Sequence, residues 1–285
     1  MADCHEQKTG LEPSQQPVEE LVPHAGNEEL FELIPDGVPV LKDSEVKHKL
    51  LQWNLNETLQ LQRFRVKAKI TPDVEEELVT QFFHNAHVQS TLSLPEALSS
   101  SAFKDAPQRI QCRKLRATAT SLSFFDRLVP AGLVSGSGAL RRCLDEVYDG
   151  ATASDLLKEA FVSAEAEENL LEGSNNANWF SLEQDQQEFI FQLFRALVIG
   201  GAMCQSDESV QPYERMVSVL YKALVSVKKH ASDSLVIDVT SRVYAVEDTR
   251  VLPASCVARF STCFVILDPR KRWLTVWRHP FQPFW

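Results

Sequence analysis

With 285 residues, 44% of them hydrophobic and 24% charged, the chain has the balance of a globular protein and needs no disulfide or metal staple to fold. A net charge of −10 without a broad basic stripe argues against nucleic acid as the main partner, and no apolar run approaches the roughly 18 residues of a membrane span, so no membrane insertion is expected. Six scattered cysteines (Cys4, Cys112, Cys143, Cys204, Cys256 and Cys263) and an N-terminus without a secretory pattern set the expectation of a reducing, cytoplasmic setting.

Residues 1–28 are rich in Glu, Gln and Pro and poor in aromatics, the composition of a disordered leader. Seven acids (Asp3, Glu6, Glu12, Glu19, Glu20, Glu28 and Glu29) against Lys8 alone give residues 1–30 a charge of −6, leaving −4 of the total −10 on the body. Such a leader is either a solvated tail or a partner-binding one. Residues 29–285 read as a single α+β domain, beginning with a short strand at Leu30–Ile34 closed by Pro35-Asp36-Gly37. A helix follows, capped by Asp43 or Ser44, with Val46, Leu50 and Trp53 on one face. Gln60 to Ile70 reads as a half-buried strand carrying Arg63, Arg65, Lys67 and Lys69 on one side. Thr71-Pro72 then opens a helix that gathers Leu78, Val79, Phe82 and Phe83.

Residues 90–110 are expected to be a long loop and 165–178 a second flexible connection. Between them, Ser121–Leu128 holds the pair Phe124-Phe125. Ala139–Tyr148 has helical spacing that would bury Leu140, Cys143, Leu144 and Val147. The strongest helix starts at a Ser181/Gln184 capping box, continues through Phe189, Ile190, Leu193, Phe194, Leu197 and Val198, and ends at Gly200-Gly201. Pro212 opens another, with Tyr213, Met216, Val217, Leu220, Tyr221 and Leu224 facing inward. Beyond Lys228-Lys229-His230 the period becomes two: Leu235 to Val246, then Phe264–Leu267 and Trp273–Trp277 joined by a turn. The helices and strands are segregated. The fold class is therefore α+β, amphipathic helices packed on a mainly antiparallel sheet with a C-terminal β-hairpin.

Chemistry-bearing motifs are sparse. Gly132-Leu133-Val134-Ser135-Gly136 has its serine one place too late for a nucleophile elbow, and Gly136-Ser137-Gly138 lacks the partners of a phosphate loop. His84 and His87 stand three apart with no second ligand pair, and Glu183, Asp185 and Glu188 fit a helix start. No catalytic, cofactor-binding or metal-ligating residue is assigned, and no cofactor is expected. Asp268-Pro269-Arg270-Lys271-Arg272 is a basic turn beside tryptophans, and Arg and Trp are the side chains that most often dominate interfaces. Arg270, Lys271, Arg272, Trp273, Trp277 and Arg278, with the aromatic end Phe281–Trp285, form the candidate protein interface.

Several unusual words occur together. Glu188-Phe189-Ile190-Phe191, Leu193-Phe194, Gly200-Gly201-Ala202-Met203-Cys204-Gln205, Pro212-Tyr213 and Tyr221–Lys228 follow one another, after Leu122–Leu128, Arg142–Asp145 and a fainter Leu51-Gln52-Trp53. Leu267–Arg272 and Val276-Trp277 come near the end. In these segments, over roughly residues 29–280, the chain resembles the cilia- and flagella-associated protein 300 family, departing from it in the acidic leader, in residues 173–178 and in the aromatic end. The resemblance implies a non-catalytic factor for cytoplasmic assembly of axonemal dynein arms and their delivery by intraflagellar transport. Its partners would be dynein arm assembly factors, axonemal dynein subunits or the intraflagellar transport machinery, and its locations the cytoplasm and the axoneme of the cilium or flagellum. A resident structural component of the axoneme is the alternative.

Overall fold

The computed structural model describes residues 30–98, 108–163, 179–229 and 237–284; the leader and the 165–178 connection lie outside the described residues. In chain order the strands are β1 (Phe31–Leu33), β2 (Gln60–Val66), β3 (Cys112–Leu115), β4 (Arg142–Tyr148), β5 (Ala151–Asp155), β6 (Val227–Lys229), β7 (Ile237–Val239), β8 (Arg242–Val246), β9 (Thr262–Asp268) and β10 (Trp273–His279). The α-helices are α1 (Ser44–Gln52), α2 (Glu75–His84), α3 (Ala86–Leu92), α4 (Leu156–Val162), α5 (Phe189–Ile199) and α6 (Gln211–Leu224).

Six strands form one antiparallel sheet in the order β1-β2-β10-β9-β8-β3, with the β9–β10 hairpin at its centre, so the α+β class holds. Period-two alternation sends Phe64, Val66, Val265, Leu267, Leu274 and Val276 to one face, where Leu78, Val79, Phe82 and Phe83 of α2 and Val88 and Leu92 of α3 cover them. Leu61, Phe264, Ile266 and Trp277 point the other way, into a larger core built on α5 and α6. The sheet is thus sandwiched between helices. This corrects the half-buried reading of β2: Arg63 is buried along with Leu61, Phe64 and Val66, and the strand ends at Val66 rather than Ile70.

Helix α5 is buried nearly all round, with Phe191, Ala196 and Ile199 inside as well as the expected face. Phe125 packs on Phe194 with ring centroids 4.4 Å apart, and Phe180 on Phe191 at 4.9 Å. The helix starts at Phe189, later than the capping box suggests. Ser181 pairs reciprocally with Asp185 instead of Gln184 (amide to Oδ2 2.9 Å, amide to Oγ 3.3 Å), closing a turn ahead of the helix. Glu188 accepts from the Thr118 and Ala119 amides at 2.9 and 3.1 Å and ties that turn to the chain beyond β3.

Three other expectations change. The turn at Thr71–Val74 closes on itself, so α2 begins at Glu75, whose buried carboxylate accepts from Tyr244 Oη at 2.6 Å and Lys114 Nζ at 2.8 Å. The loop expected over 90–110 gives way at its start to the end of α3 and a 3-10 turn at Glu96–Leu98, and residues 99–107 of it lie outside the described residues. Ala139–Tyr148 is not a helix. The spacing of Leu140, Cys143, Leu144 and Val147 mimics one, but Asp149 and Gly150 (φ 45° and 84°) form a tight turn between β4 and β5, leaving Leu144 85% exposed.

The Gly200-Gly201 segment is a clip holding α5 to α1. Gly201 N donates to Trp53 O at 2.9 Å, Gln205 N to Gln52 O at 2.9 Å, and Met203 N to Asn54 Oδ1 at 3.1 Å. Trp53 stacks on Tyr213 of α6 (4.6 Å, 11°) while its Nε1 donates to Asp207 at 2.9 Å. A Cβ on Gly201 would lie 2.2 Å from Asn54 O, backbone that cannot step aside. Gly201→Ala should lower stability by about 2–3 kcal/mol in urea unfolding, with the slope of the transition unchanged.

His279, at the end of β10, is 1% exposed, and its Nε2 has no partner among the described residues. Burial holds its pKa at about 4, below the ordinary 6.5. The unfolded chain therefore takes up a proton below pH 6.5 that the folded chain refuses until about pH 4, and the stability contributed by the neutral ring is lost over that window. Between pH 7 and 4.5 the wild type should lose about 2–3 kcal/mol more than His279→Leu in denaturant titrations.

Candidate functional site

The β9–β10 connection runs Asp268-Pro269-Arg270-Lys271-Arg272. Asp268 is buried, and its Oδ1 accepts from the Arg270 and Lys271 amides, both at 3.0 Å, the side-chain-to-backbone bonding that makes aspartate a turn residue. Burial pushes its carboxyl upward, but hydrogen bonds from Ser226 and the two turn amides, with the Lys271 ammonium 3.6 Å away, hold it below the usual carboxylate range. The anion fixes the turn, and Arg272 completes it in the left-handed conformation (φ 52°). Arg270, Lys271 and Arg272 are all exposed.

Beside the turn lies a cleft of about 490 Å³ between the end of α6, β6 and the start of β10. Half-buried Trp273 forms its aromatic wall. The guanidinium of Arg63 sits 4.7 Å from the Trp273 ring centroid, and Lys271 Nζ 4.8 Å from it, so two cations meet one ring. Arg63 Nε donates to Thr275 Oγ1 at 2.9 Å and its Nη2 to Ala223 O at 2.8 Å, while Lys271 Nζ donates to Ser226 Oγ at 2.9 Å. Burial lowers the pKa of Arg63, and the Asp268 charge partly restores it. Exposed Lys222 and Arg270 complete the cationic rim. A second, shallower cleft of about 1120 Å³ continues past Arg270 toward Lys114, Lys228 and Ile237.

Of the six sequence-derived residues, Arg270, Lys271 and Trp273 come together at the cleft, and Arg272 lies on the same turn with its guanidinium donating to Lys67 O. Trp277 and Arg278 do not, which corrects their expected exposure. Trp277 is 0% exposed, with Nε1 donating to Thr262 Oγ1 at 3.0 Å; Arg278 is 3% exposed and donates to Val251 O at 2.7 Å and Gln60 Oε1 at 2.6 Å. β10 has strands on both sides and helices on both faces, so none of its middle residues can reach water. In the aromatic end, Phe281 is buried against Phe260 whereas Phe284 is exposed, and Trp285 lies outside the described residues. Sequence reading missed, as site residues, Arg63, Lys222 and Ser226, which precede Asp268 by 205, 46 and 42 positions. Only Arg63 left a trace there: an arginine inside an apolar strand needs buried partners.

The weaker motifs stay apart. Ser135 Oγ lies 2.8 Å from Ser137 Oγ within one turn, and His84 Nε2, at the end of α2, lies 2.8 Å from Gln108 O ahead of β3. Among the described residues, no three His, Cys, Asp or Glu side chains could hold a metal ion, and no helix is long and apolar enough to cross a membrane. Glu183, Asp185 and Glu188 precede α5 instead of lying in its first turns, and Asp185 pairs with Arg127.

Arg63 and Arg270 should separate framework from surface. Arg63→Ala strips two buried acceptors of their donor and a cation from Trp273, and should cost about 2–3 kcal/mol. Arg270→Ala should stay within about 0.5 kcal/mol of wild type in the same unfolding assay.

The family model for cilia- and flagella-associated protein 300 matches residues 29–279. A cilia- and flagella-associated protein 300 from Chlamydomonas reinhardtii is 26% identical over 265 residues, covering 88% of this chain and 98% of its own length. Its counterpart in Paramecium tetraurelia is 27% identical over 252 residues, with 84% and 91% covered. No solved structure matches. The match takes in both the Gly200-Gly201 clip and the turn that carries the cleft, and the chain belongs to the cilia- and flagella-associated protein 300 family.

Proposed function

We propose that this chain is a non-catalytic protein-binding factor for the cytoplasmic assembly of axonemal dynein arms and their delivery by intraflagellar transport. The family match from residue 29 to 279 carries the reading, because it spans the whole described body and not one module of it. The build of the molecule supports it. A sheet braced by helices on both faces is stiff, and a stiff frame loses little entropy when a partner docks. The basic, tryptophan-walled cleft offers what partner recognition uses: Arg and Trp side chains held in place by buried neighbours. Dynein arm assembly factors, axonemal dynein subunits or the transport machinery are the partners, met in the cytoplasm and in the cilium.

Deleting the gene in a ciliated cell should leave cilia present but weakly motile, with outer and inner dynein arms missing from axonemal cross-sections. Normal arms in the mutant would overturn the assembly role. Salt and detergent extraction of isolated cilia decides against the alternative: an assembly and transport factor is released, whereas a resident structural component stays with the microtubules.

A further inference from the structure

We infer that the acidic segment preceding Leu30 docks, within the same molecule, on the basic surface around the β9–β10 turn. The contact stands on geometry and charge alone and does not depend on the functional reading above. Leu30 O accepts from Lys67 N at 3.0 Å, and Lys67 O accepts from Arg272 Nη1 at 3.5 Å, so the first described residue is one residue away from the basic turn. In register, Glu32 of β1 faces Arg65 of β2, which faces Trp273 of β10. Two strand spacings, roughly 10 Å, separate the exit from the tryptophan wall.

The charges complement each other. Arg65, Lys67, Lys69, Arg270, Lys271 and Arg272 are all exposed around this exit. Among the described acids, none lies within ion-pair distance of Arg65, Lys69, Arg270 or Arg272, and the buried Asp268 meets only Lys271. The 29 residues before Leu30 hold seven acids against one lysine. The body as a whole, these six cations included, is net negative at −4, so this basic surface stands out as one that attracts the segment.

Reach is no obstacle. Glu20 lies ten residues before Leu30, and a coil of that length spans about 17 Å, more than the distance to be crossed. Tethering at that length gives a local concentration in the millimolar range, so contacts of a few tenths of a kcal/mol each suffice when several form together. The docked segment covers the cations that a partner would use. An acidic partner must then displace it, whereas a partner bound elsewhere is unaffected.

Zero-length carbodiimide coupling on the full chain, read by peptide mass spectrometry, tests the contact directly. Glu12, Glu19 and Glu20 should couple to Lys67, Lys69 and Lys271 in preference to Lys47 on α1 and Lys114 on β3. About 0.5 M salt should abolish the preference. Arg270→Glu with Arg272→Glu leaves the three lysines in place and should cut the yield about fivefold. If that variant fails to fold, Glu19→Gln with Glu20→Gln, which lies outside the described residues, should lower the coupling of Glu12 instead. Coupling spread evenly over all exposed lysines, no coupling, a yield indifferent to the variants, or links found only in cross-linked dimers would overturn the inference.

Discussion

Strands β9 and β10 have no side turned to water, and that constraint organises the molecule. They sit at the middle of the sheet with one helical layer on each face, so every residue from Thr262 to Asp268 is buried, as is every residue from Leu274 to His279. Polar groups on these strands must find partners inside. Trp277 gives its indole proton to Thr262, Arg278 spends its guanidinium on Val251 O and Gln60, and His279 stays neutral. The hairpin meets solvent only at its turn and at Trp273 beside it. That is why the turn can carry three consecutive cations, and why Asp268, at the last buried position before it, serves as an internal anchor.

The Gly200-Gly201 pair, which lies inside the family match, has a structural job. Gly200 and Gly201 bring the end of α5 against the carbonyls of Trp53 and Asn54, closer than any side chain would permit, and the residues up to Asp207 then lie along the end of α1. Asp207 takes hydrogen bonds from both Trp53 and Lys49, and Tyr213 stacks under the Trp53 ring. Three helices from distant parts of the chain are fixed by this one clip. A glycine pair beside a helix end suggests a phosphate loop when read alone; packed against backbone carbonyls, these two leave no room for an anion.

Much of the fold was legible because burial leaves periodic traces. The inward face of α6 was readable residue by residue from Tyr213 to Leu224, since a helix with one wet side repeats every three or four positions. The β9–β10 hairpin was readable from an apolar run, a Pro-containing turn and a second run. β4 was misread because Leu140, Cys143, Leu144 and Val147 satisfy helical spacing by accident; the Asp149-Gly150 pair was the better signal. The site was legible only in part. Arg270 to Trp273 are contiguous and declared themselves, but Trp277 looked like their companion because strand alternation places it on the same face as Trp273. Alternation gives the face and not its depth: helices cover that face at Trp277 and leave it open at Trp273. Arg63 and Lys222 join the cleft through strand order, which no local pattern encodes.

The charge layout narrows how such a cleft can be used. The body is nearly balanced, so long-range steering is weak, and recognition depends on the few cations gathered at one end of the sheet. Two of these, Arg63 and Lys271, are committed to Trp273 and to hydrogen bonds that hold the wall in shape, which leaves the exposed Lys222 and Arg270 on the cleft's rim. Exposed ion pairs alone contribute little, so two exposed cations beside a fixed aromatic suit an acidic segment with an apolar side chain better than a purely acidic one. The chain's own leader alternates acids with Leu11, Leu21 and Val22, the mixed composition that such a wall would distinguish from a plain run of glutamates.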